Sequence, residues 1–396
     1  MREIFEMKNT IASGELSILI KTYAGLEEIL AQEVRELGGG DATTITRGVT
    51  CTGDWGFVYK LNLGLRTGLR VLVEIKSFAF KDNKQFYDEL FQINWTDFFE
   101  VKKTFRIDSF LNSEMFNNSM FVSQLAKDAI VDRFRKNLGE RPFVDSRMAD
   151  VFINLYIRDN HATVYLDTSG ESLHKRGYRQ EQVKAPLSEV MAAGIILLSG
   201  WSHHFPLIDP MCGSGTFSIE AALIANKIPP GIFRKGFSFE NLKIFDKDLF
   251  DTILNSLTSR IQNNSISIKA SDRSNRAVSL AKANAEIAGV FEDIDFKVAD
   301  FSNTAVQDKK TFVFMNPPYG ERMNEDDLEA LYGMIGSTLK HKFSGSEAWL
   351  FTSNLEGIKF VGLRHSKKLK LFNGPLECYL LKYELYQGSR KIKDPS

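Results

Sequence analysis

Along the first 170 residues the apolar positions switch repeatedly between a period of two and a period near 3.6, as they do where short strands alternate with amphipathic helices. Residues 17–23, SILIKTY, alternate apolar and polar side chains like a half-buried strand. Gly25 then opens LEEILAQEVREL, in which Leu26, Ile29, Leu30, Val34 and Leu37 share one helical face, and the glycines at 38–40 end it. Residues 42–53 are rich in β-branched side chains and read as one or two strand segments. A helix carrying Tyr59, Leu61, Leu63 and Leu65 follows, and residues 70–80, RVLVEIKSFAF, return to a strand. A second α+β unit starts near Asp82. It comprises a short helix through Asp88, Leu90, Phe91 and Ile93 before Trp95, a strand over 103–111, and a helix over 121–138 marked by Val122, Leu125, Ala129, Val131 and Phe134. Two strands, 151–158 and 162–169, are joined by Asp159, Asn160 and His161, a connection short enough for a hairpin.

The pattern changes at residue 170. GESLHKRGYRQEQVK has no clean period and a basic bias, which predicts a linker. After Pro186 a helix, LSEVMAAGIILLSG, leads to an apolar run over 205–209 that ends in DPMCGSGT. Helices are then expected over 216–225, 275–288 and 326–340, and strands over 267–271, 295–299, 311–315 and 347–352. Such alternation predicts a mostly parallel, doubly wound α/β sheet covered on both faces. Residues 369–373 and 377–385, about a Gly-Pro turn, predict an antiparallel pair that closes it. The expected division is an α+β module at 14–80, a second at 81–170, a basic linker at 171–184, and a nucleotide-binding-type α/β domain at 185–387. Residues 1–13 and the final GSRKIKDPS carry no periodic signal and are expected to be loose ends.

Composition narrows this picture. Fifty basic and fifty acidic residues cancel, so any nucleic-acid partner must be met by a local patch. The three cysteines, Cys51, Cys212 and Cys378, lie far apart without a CxxC, which predicts a reduced cytoplasmic protein with no disulfide frame and no metal. No apolar run approaches the roughly 20 residues of a membrane span, and the N-terminus lacks the apolar centre of a signal peptide. A soluble protein without a membrane partner is expected, and its oligomeric state is left open.

The chemistry-bearing residues cluster in the second half. In DPMCGSGT, Gly213 and Gly215 let the backbone approach a ligand, and Thr216 begins a helix whose amides point into the same crevice. In a doubly wound sheet that crevice holds a nucleoside-bearing cofactor. The sequence has neither a GKS/GKT triphosphate loop nor a third glycine in dinucleotide spacing. Asp272 and Asp300 end consecutive predicted strands, where one carboxylate can accept from ribose hydroxyls and the other can meet an adenine amine; the bland alternative for each is a helix cap. Asn316 to Tyr319, NPPY, is the most specific motif. A conjugated amine is planar and weakly nucleophilic; an asparagine oxygen and a rigidly held proline carbonyl can both accept from it, and Tyr319 can stack on a flat base. In HKRGYR, His174, Lys175, Arg176 and Arg179 surround Tyr178, a mixture suited to phosphates and a stacked base, with a solvated hinge as the alternative. Lys359, Arg364, Lys367, Lys368 and Lys370 form a second basic run.

Residues 172–386 resemble the bacterial THUMP-domain RNA methyltransferases, nearest to the large-subunit ribosomal RNA guanine-N2 methyltransferases, through SLHKRGYR, APLSE, DPMCGSGTFSIEAALIA, NPPYGERM and KLFNGPLECYL. Residues 14–80 and 81–170 resemble that family's ferredoxin-like and THUMP modules through weaker motifs. The resemblance implies S-adenosylmethionine as cofactor, with Asp209, Gly213 and Gly215 around its methionine end, Asp272 at the ribose and Asp300 near the adenine. Pro210, Cys212, Thr216 and Asn316 would complete its surroundings. Asn316, Pro317, Pro318 and Tyr319 would hold a guanine N2 amine of ribosomal RNA, methylated without a strong general base, and His174 to Arg179 would touch the RNA. Arg273 and Ser274 follow Asp272 where many relatives have an apolar residue and a second acid, so the ribose contact rests on Asp272 alone. Some relatives carry a second methyltransferase domain, for which this chain is expected to have no room. Three other readings stay open: a DNA adenine-N6 methyltransferase, a protein glutamine methyltransferase, and an RNA-binding assembly factor without catalysis.

Overall fold

In the computed structural model, which describes residues 14–179, 187–305, 310–318, 325–374 and 376–386, strand β1 (Leu16–Lys21) turns Leu16, Ile18 and Ile20 inward. The chain continues through α1 (Glu27–Glu36), β2 (Thr43–Ile45), β3 (Gly48–Gly53), α2 (Trp55–Gly64), β4 (Arg70–Ala79), α3 (Asn83–Gln92), β5 (Phe105–Asn112), α4 (Ser119–Leu138), β6 (Val151–Arg158) and β7 (His161–Asp167). Local chemistry sets several boundaries. The Asn118 side chain accepts from the amides of Met120 and Phe121 to start α4, and Gly139 ends it at φ +74°. β6 and β7 meet through a two-residue turn whose Asp159 sits at φ +53°, a conformation asparagine and aspartate tolerate. Val151, Ile153, Leu155 and Ile157 then alternate into the core.

The two α+β modules expected from the sequence share one sheet. The strand order is β2-β3-β1-β4-β7-β6-β5. β4 makes the junction because its ten residues are long enough to pair with β1 over 70–73 and with β7 over 72–79, across a bulge between Glu74 and Lys76. Among the described strands of this sheet, β5 and β6 are the parallel pair.

The second half begins with α5 (Glu189–Ser199), β8 (Leu207–Asp209) and α6 (Thr216–Ala225). After α7 (Lys247–Thr258) come β9 (Ile268–Asp272), α8 (Asn275–Ile287), β10 (Ile294–Val298), β11 (Phe312–Met315), α9 (Glu325–Lys342), β12 (Glu347–Thr352), α10 (Leu355–Phe360), β13 (Lys367–Asn373) and β14 (Leu376–Glu384). Their sheet has the order β10-β9-β8-β11-β12-β14-β13, parallel from β10 to β12 and antiparallel at β14 and β13, as the alternating pattern predicts. From β8 the chain builds outward through β9 and β10, then returns to add β11 on the other side. That reversal leaves a crevice at the carboxyl ends of β8 and β11.

Contacts divide the chain into two units, and the division is not a single cut. One unit contains residues 14–22, Leu30–Lys175 and Pro230–Ser259; the other contains Tyr23–Ile29, Arg176–Pro229 and the residues from Arg260 onward. Pro230–Ser259 interrupts the stretch that the sequence reading assigns to one continuous domain at 185–387. The cause is aromatic packing: Phe239 lies 4.6 Å from Tyr59 of α2, and Phe245 and Phe250 close around the same ring at 5.8 and 5.9 Å. No helix among the described residues is long and apolar enough to cross a membrane.

Candidate active site

A cavity of about 810 Å³ opens at the crevice. Its walls are the loops that leave β8 (Pro210 to Ser214), β9 (Asp272, Arg273), β10 (Ala299 to Phe301) and β11 (Asn316, Pro318), together with one face of α9. The loop after β8 is fixed from several sides. The Gly215 amide donates to the Cys212 carbonyl at 2.7 Å, the Cys212 amide to the Ser271 carbonyl at 2.9 Å, and the Asn284 side chain of α8 donates to the Ser214 carbonyl at 3.0 Å. Gly215 is at φ +82°, and a Cβ there would stand 3.0 Å from that of Ala281, so both backbone and space require glycine. Gly213, at φ +52°, faces open space and donates its amide to Asp272 Oδ2 at 3.1 Å.

The acids of this site divide by environment. Asp272 lines the cavity and accepts from Gly213 and from the Ser274 amide at 2.9 Å, which leaves about two of a carboxylate's roughly four acceptor positions for further donors. It does not cap the next helix; Ser274 does, accepting from the Ala277 amide. Asp300 lines the cavity and also caps the short turn after it. Bonds from the Ser302 hydroxyl and amide, at 2.6 and 2.8 Å, hold its carboxyl below the usual range. Asp209, which the resemblance puts around the methionine end of the cofactor, is only 1 % exposed and is not among the residues that line the cavity. Ser218 donates to its Oδ2 at 3.1 Å, its Oδ1 has no hydrogen-bond partner, and burial pushes its pKa up to about 7. Cys212 lines the cavity as a neutral thiol, raised by burial and by the charges of Asp209 and Asp272.

Of the amine clamp, Asn316 and Pro318 line the cavity, while Pro317 is buried and does not. Tyr319 lies outside the described residues. The site also contains residues the sequence reading passes over: Leu187, Phe301, and Asp327, Ala330, Leu331 and Met334 of α9. These last four follow the spacing i, i+3, i+4, i+7 of one helical face, a signal that does not distinguish a cavity wall from an ordinary core face.

The HKRGYR segment behaves differently from the expected RNA-contacting linker. Arg176 and Tyr178 are 2 % and 1 % exposed. Tyr178 donates to Glu220 of α6 at 3.0 Å, and the Arg176 guanidinium sits 3.6 Å from the same carboxylate. Burial and the Glu220 charge raise the Tyr178 phenol. Arg179 donates to the Thr216 hydroxyl at 2.8 Å and to the Leu187 carbonyl at 3.0 Å, and lies 3.4 Å from Glu189. These three side chains anchor α6, whose first turn borders the cavity, so Arg176 and Tyr178 are not offered to a phosphate or a base. His174 and Lys175 remain nearer the surface.

A doubly wound sheet with a glycine turn, two strand-end carboxylates and an asparagine-proline turn around one cavity defines a methyltransferase of the α/β class. Family models match in three consecutive stretches: an RlmL ferredoxin-like domain over residues 17–72, a THUMP domain over 80–167, and the UPF0020 family, described as RMKL-like, methyltransferase domain, over 176–382. The chain belongs to this RMKL-like methyltransferase domain family. It is 37 % identical over 373 residues to the ribosomal RNA large subunit methyltransferase K/L of Syntrophotalea carbinolica, covering 91 % of this chain and 52 % of that protein. The chain thus spans about half the length of the curated relatives it matches. Among solved structures, a possible methylase from Clostridium difficile 630 superposes with TM-score 0.85 at 31 % identity, over 95 % of this chain and 100 % of its own. A candidate methyltransferase complexed with SAH superposes with TM-score 0.84 at 28 % identity, over 95 % and 99 %.

Proposed function

We propose that this protein uses S-adenosylmethionine to methylate the exocyclic N2 amine of a guanine in 23S ribosomal RNA. The observation that carries the reading is the convergence of Asn316 and Pro318 with Gly213 and Asp272 on one cavity. A methyl donor and a planar amine would therefore meet at the sheet's reversal point. The relatives named as large-subunit ribosomal RNA methyltransferases and the THUMP match support RNA as the substrate. Work on ribosomal RNA would place the protein in the cytoplasm.

The residues present fit the cofactor. Asp272 has acceptor positions for ribose hydroxyls, and Asp300, held as a carboxylate by Ser302, can accept from an adenine amine. Gly213 offers its Cβ-free backbone at the cavity wall. When bound, the cofactor supplies a methyl group activated by its positive sulfur. The chain's own task is positioning. The Asn316 side-chain oxygen, which lines the cavity beside Pro318, accepts from the target N–H groups and turns the nitrogen lone pair toward the methyl carbon. The surplus proton leaves to water once the nitrogen is cationic and strongly acidic, so no group of the protein has to remove it beforehand.

Asn316→Ala tests the assignment. Methylation of ribosomal RNA is expected to fall by about a hundredfold or more, and calorimetry with S-adenosylmethionine separates loss of the amine clamp from loss of the cofactor. Undiminished methylation by the variant overturns the clamp.

A further inference from the structure

With Arg176 and Tyr178 buried, the RNA contact has to be sought elsewhere, and the first sheet, β2-β3-β1-β4-β7-β6-β5, has two unlike faces. On one, Val151, Ile153, Leu155, Ile157, Ala162, Val164 and Leu166 are buried against helices. On the other, the alternate positions of the same strands carry Phe110, Tyr156 and Tyr165, all half-buried or exposed. Phe110 and Tyr156 are register partners on the parallel pair β5 and β6, and their rings stack 4.8 Å apart at 13°. Tyr165 meets Tyr156 edge-on at 5.6 Å.

Cations gather at this stack. The Lys21 ammonium lies 5.0 Å from the Phe110 centroid and 4.6 Å from that of Tyr156, and it donates to the Tyr156 hydroxyl at 2.6 Å. These two distances nearly equal the ring separation, so the ammonium sits beside the stack rather than over the outer face of Phe110. Phe110 remains 45 % exposed. Arg70 is the register partner of Lys21 on β4, and the Arg47 carbonyl accepts from the amide of Thr22, next to Lys21. Arg70 holds Asp167 and Arg106 holds Asp108 on the same face, and Glu74 lies across from Tyr165. Burial, followed by the charges of Arg47 and Arg70, lowers the Lys21 pKa.

We propose that this face is a binding platform for an unpaired nucleotide of the RNA substrate, with a base stacked on Phe110 and its phosphate beside Lys21. An aromatic stack on an open sheet is sequence-tolerant, because every base has a π-face, and the neighbouring cations supply the salt-dependent part of the affinity. A duplex, whose bases are already stacked on each other, has no free face to offer it. The inference rests on the reading of RNA as substrate, but it concerns binding and can be measured without methyl transfer.

The test is fluorescence anisotropy of a short labelled oligoadenylate against the full chain, Phe110→Leu and Lys21→Gln, with duplex RNA as competitor and thermal melting as a check on folding. Leucine keeps the bulk of Phe110 and removes only the π-face. Phe110→Leu is expected to weaken oligoadenylate binding about tenfold or more, and Lys21→Gln to weaken it and flatten its salt dependence by about one unit of slope. S-adenosylmethionine binding is expected to stay unchanged in both variants. Unaltered affinity in Phe110→Leu overturns the platform, as does duplex RNA competing as well as single strands. Loss in Lys21→Gln alone also overturns it, because a purely electrostatic patch needs no stack. If the platform binds as expected and no methylated guanine forms, the proposed function fails and the platform stands; the reverse pattern sinks only the platform.

Discussion

At the scale of single residues, Asp209 shows how far position in a motif differs from direction of a side chain. It opens DPMCGSGT, yet its carboxyl is buried under the loop and held near pKa 7, well above its value in an unfolded chain. The folded state therefore binds a proton that the unfolded state has released, and the wild type should lose stability as pH rises from about 4 to 7. At about 1.4 kcal/mol per unit the span is up to roughly 4 kcal/mol. Asp209→Asn should lack this component, so denaturant titrations at a series of pH values should give it a flatter stability profile; an identical profile contradicts the assignment. The placement of Gly213, Asp272 and Asn316 on the cavity was legible because a loop that follows a strand must end at the crevice. Arg176 and Tyr178 were not, because the reason for their burial is Glu220, a partner on another element that no local pattern reveals.

At the scale of elements, the helices and strands of the α/β half lie close to the stretches read from periodicity, since each one's apolar face has a single period. The segment Pro230–Ser259 escaped that reading. Phe237, Phe239 and Phe245 lie outside α7 and follow no regular period, because they pack with Phe250 of that helix as a cluster around Tyr59. Phe239 is fully buried there, and Phe239→Ala should cost roughly 3–5 kcal/mol. Hydrogen exchange should register the loss in α2, whose Tyr59 touches that ring. Loss of protection confined to β8 through β12 would contradict the assignment of this segment to the N-terminal unit.

At the scale of the molecule, the order of modules was readable from the switch at residue 170, but their sharing of one sheet was not. Residues 70–79 read equally well as the last strand of one module, and only the pairing of β4 with both β1 and β7 makes them a junction. The functional account joins a sheet suited to hold RNA with a cavity suited to hold a methyl donor beside an amine. Its most direct test uses purified protein, labelled S-adenosylmethionine and 23S ribosomal RNA lacking its natural methyl groups, followed by digestion to nucleosides and mass analysis. The account predicts label in N2-methylguanosine. Label in N6-methyladenosine, or no label in RNA while a protein glutamine becomes methylated, would contradict it.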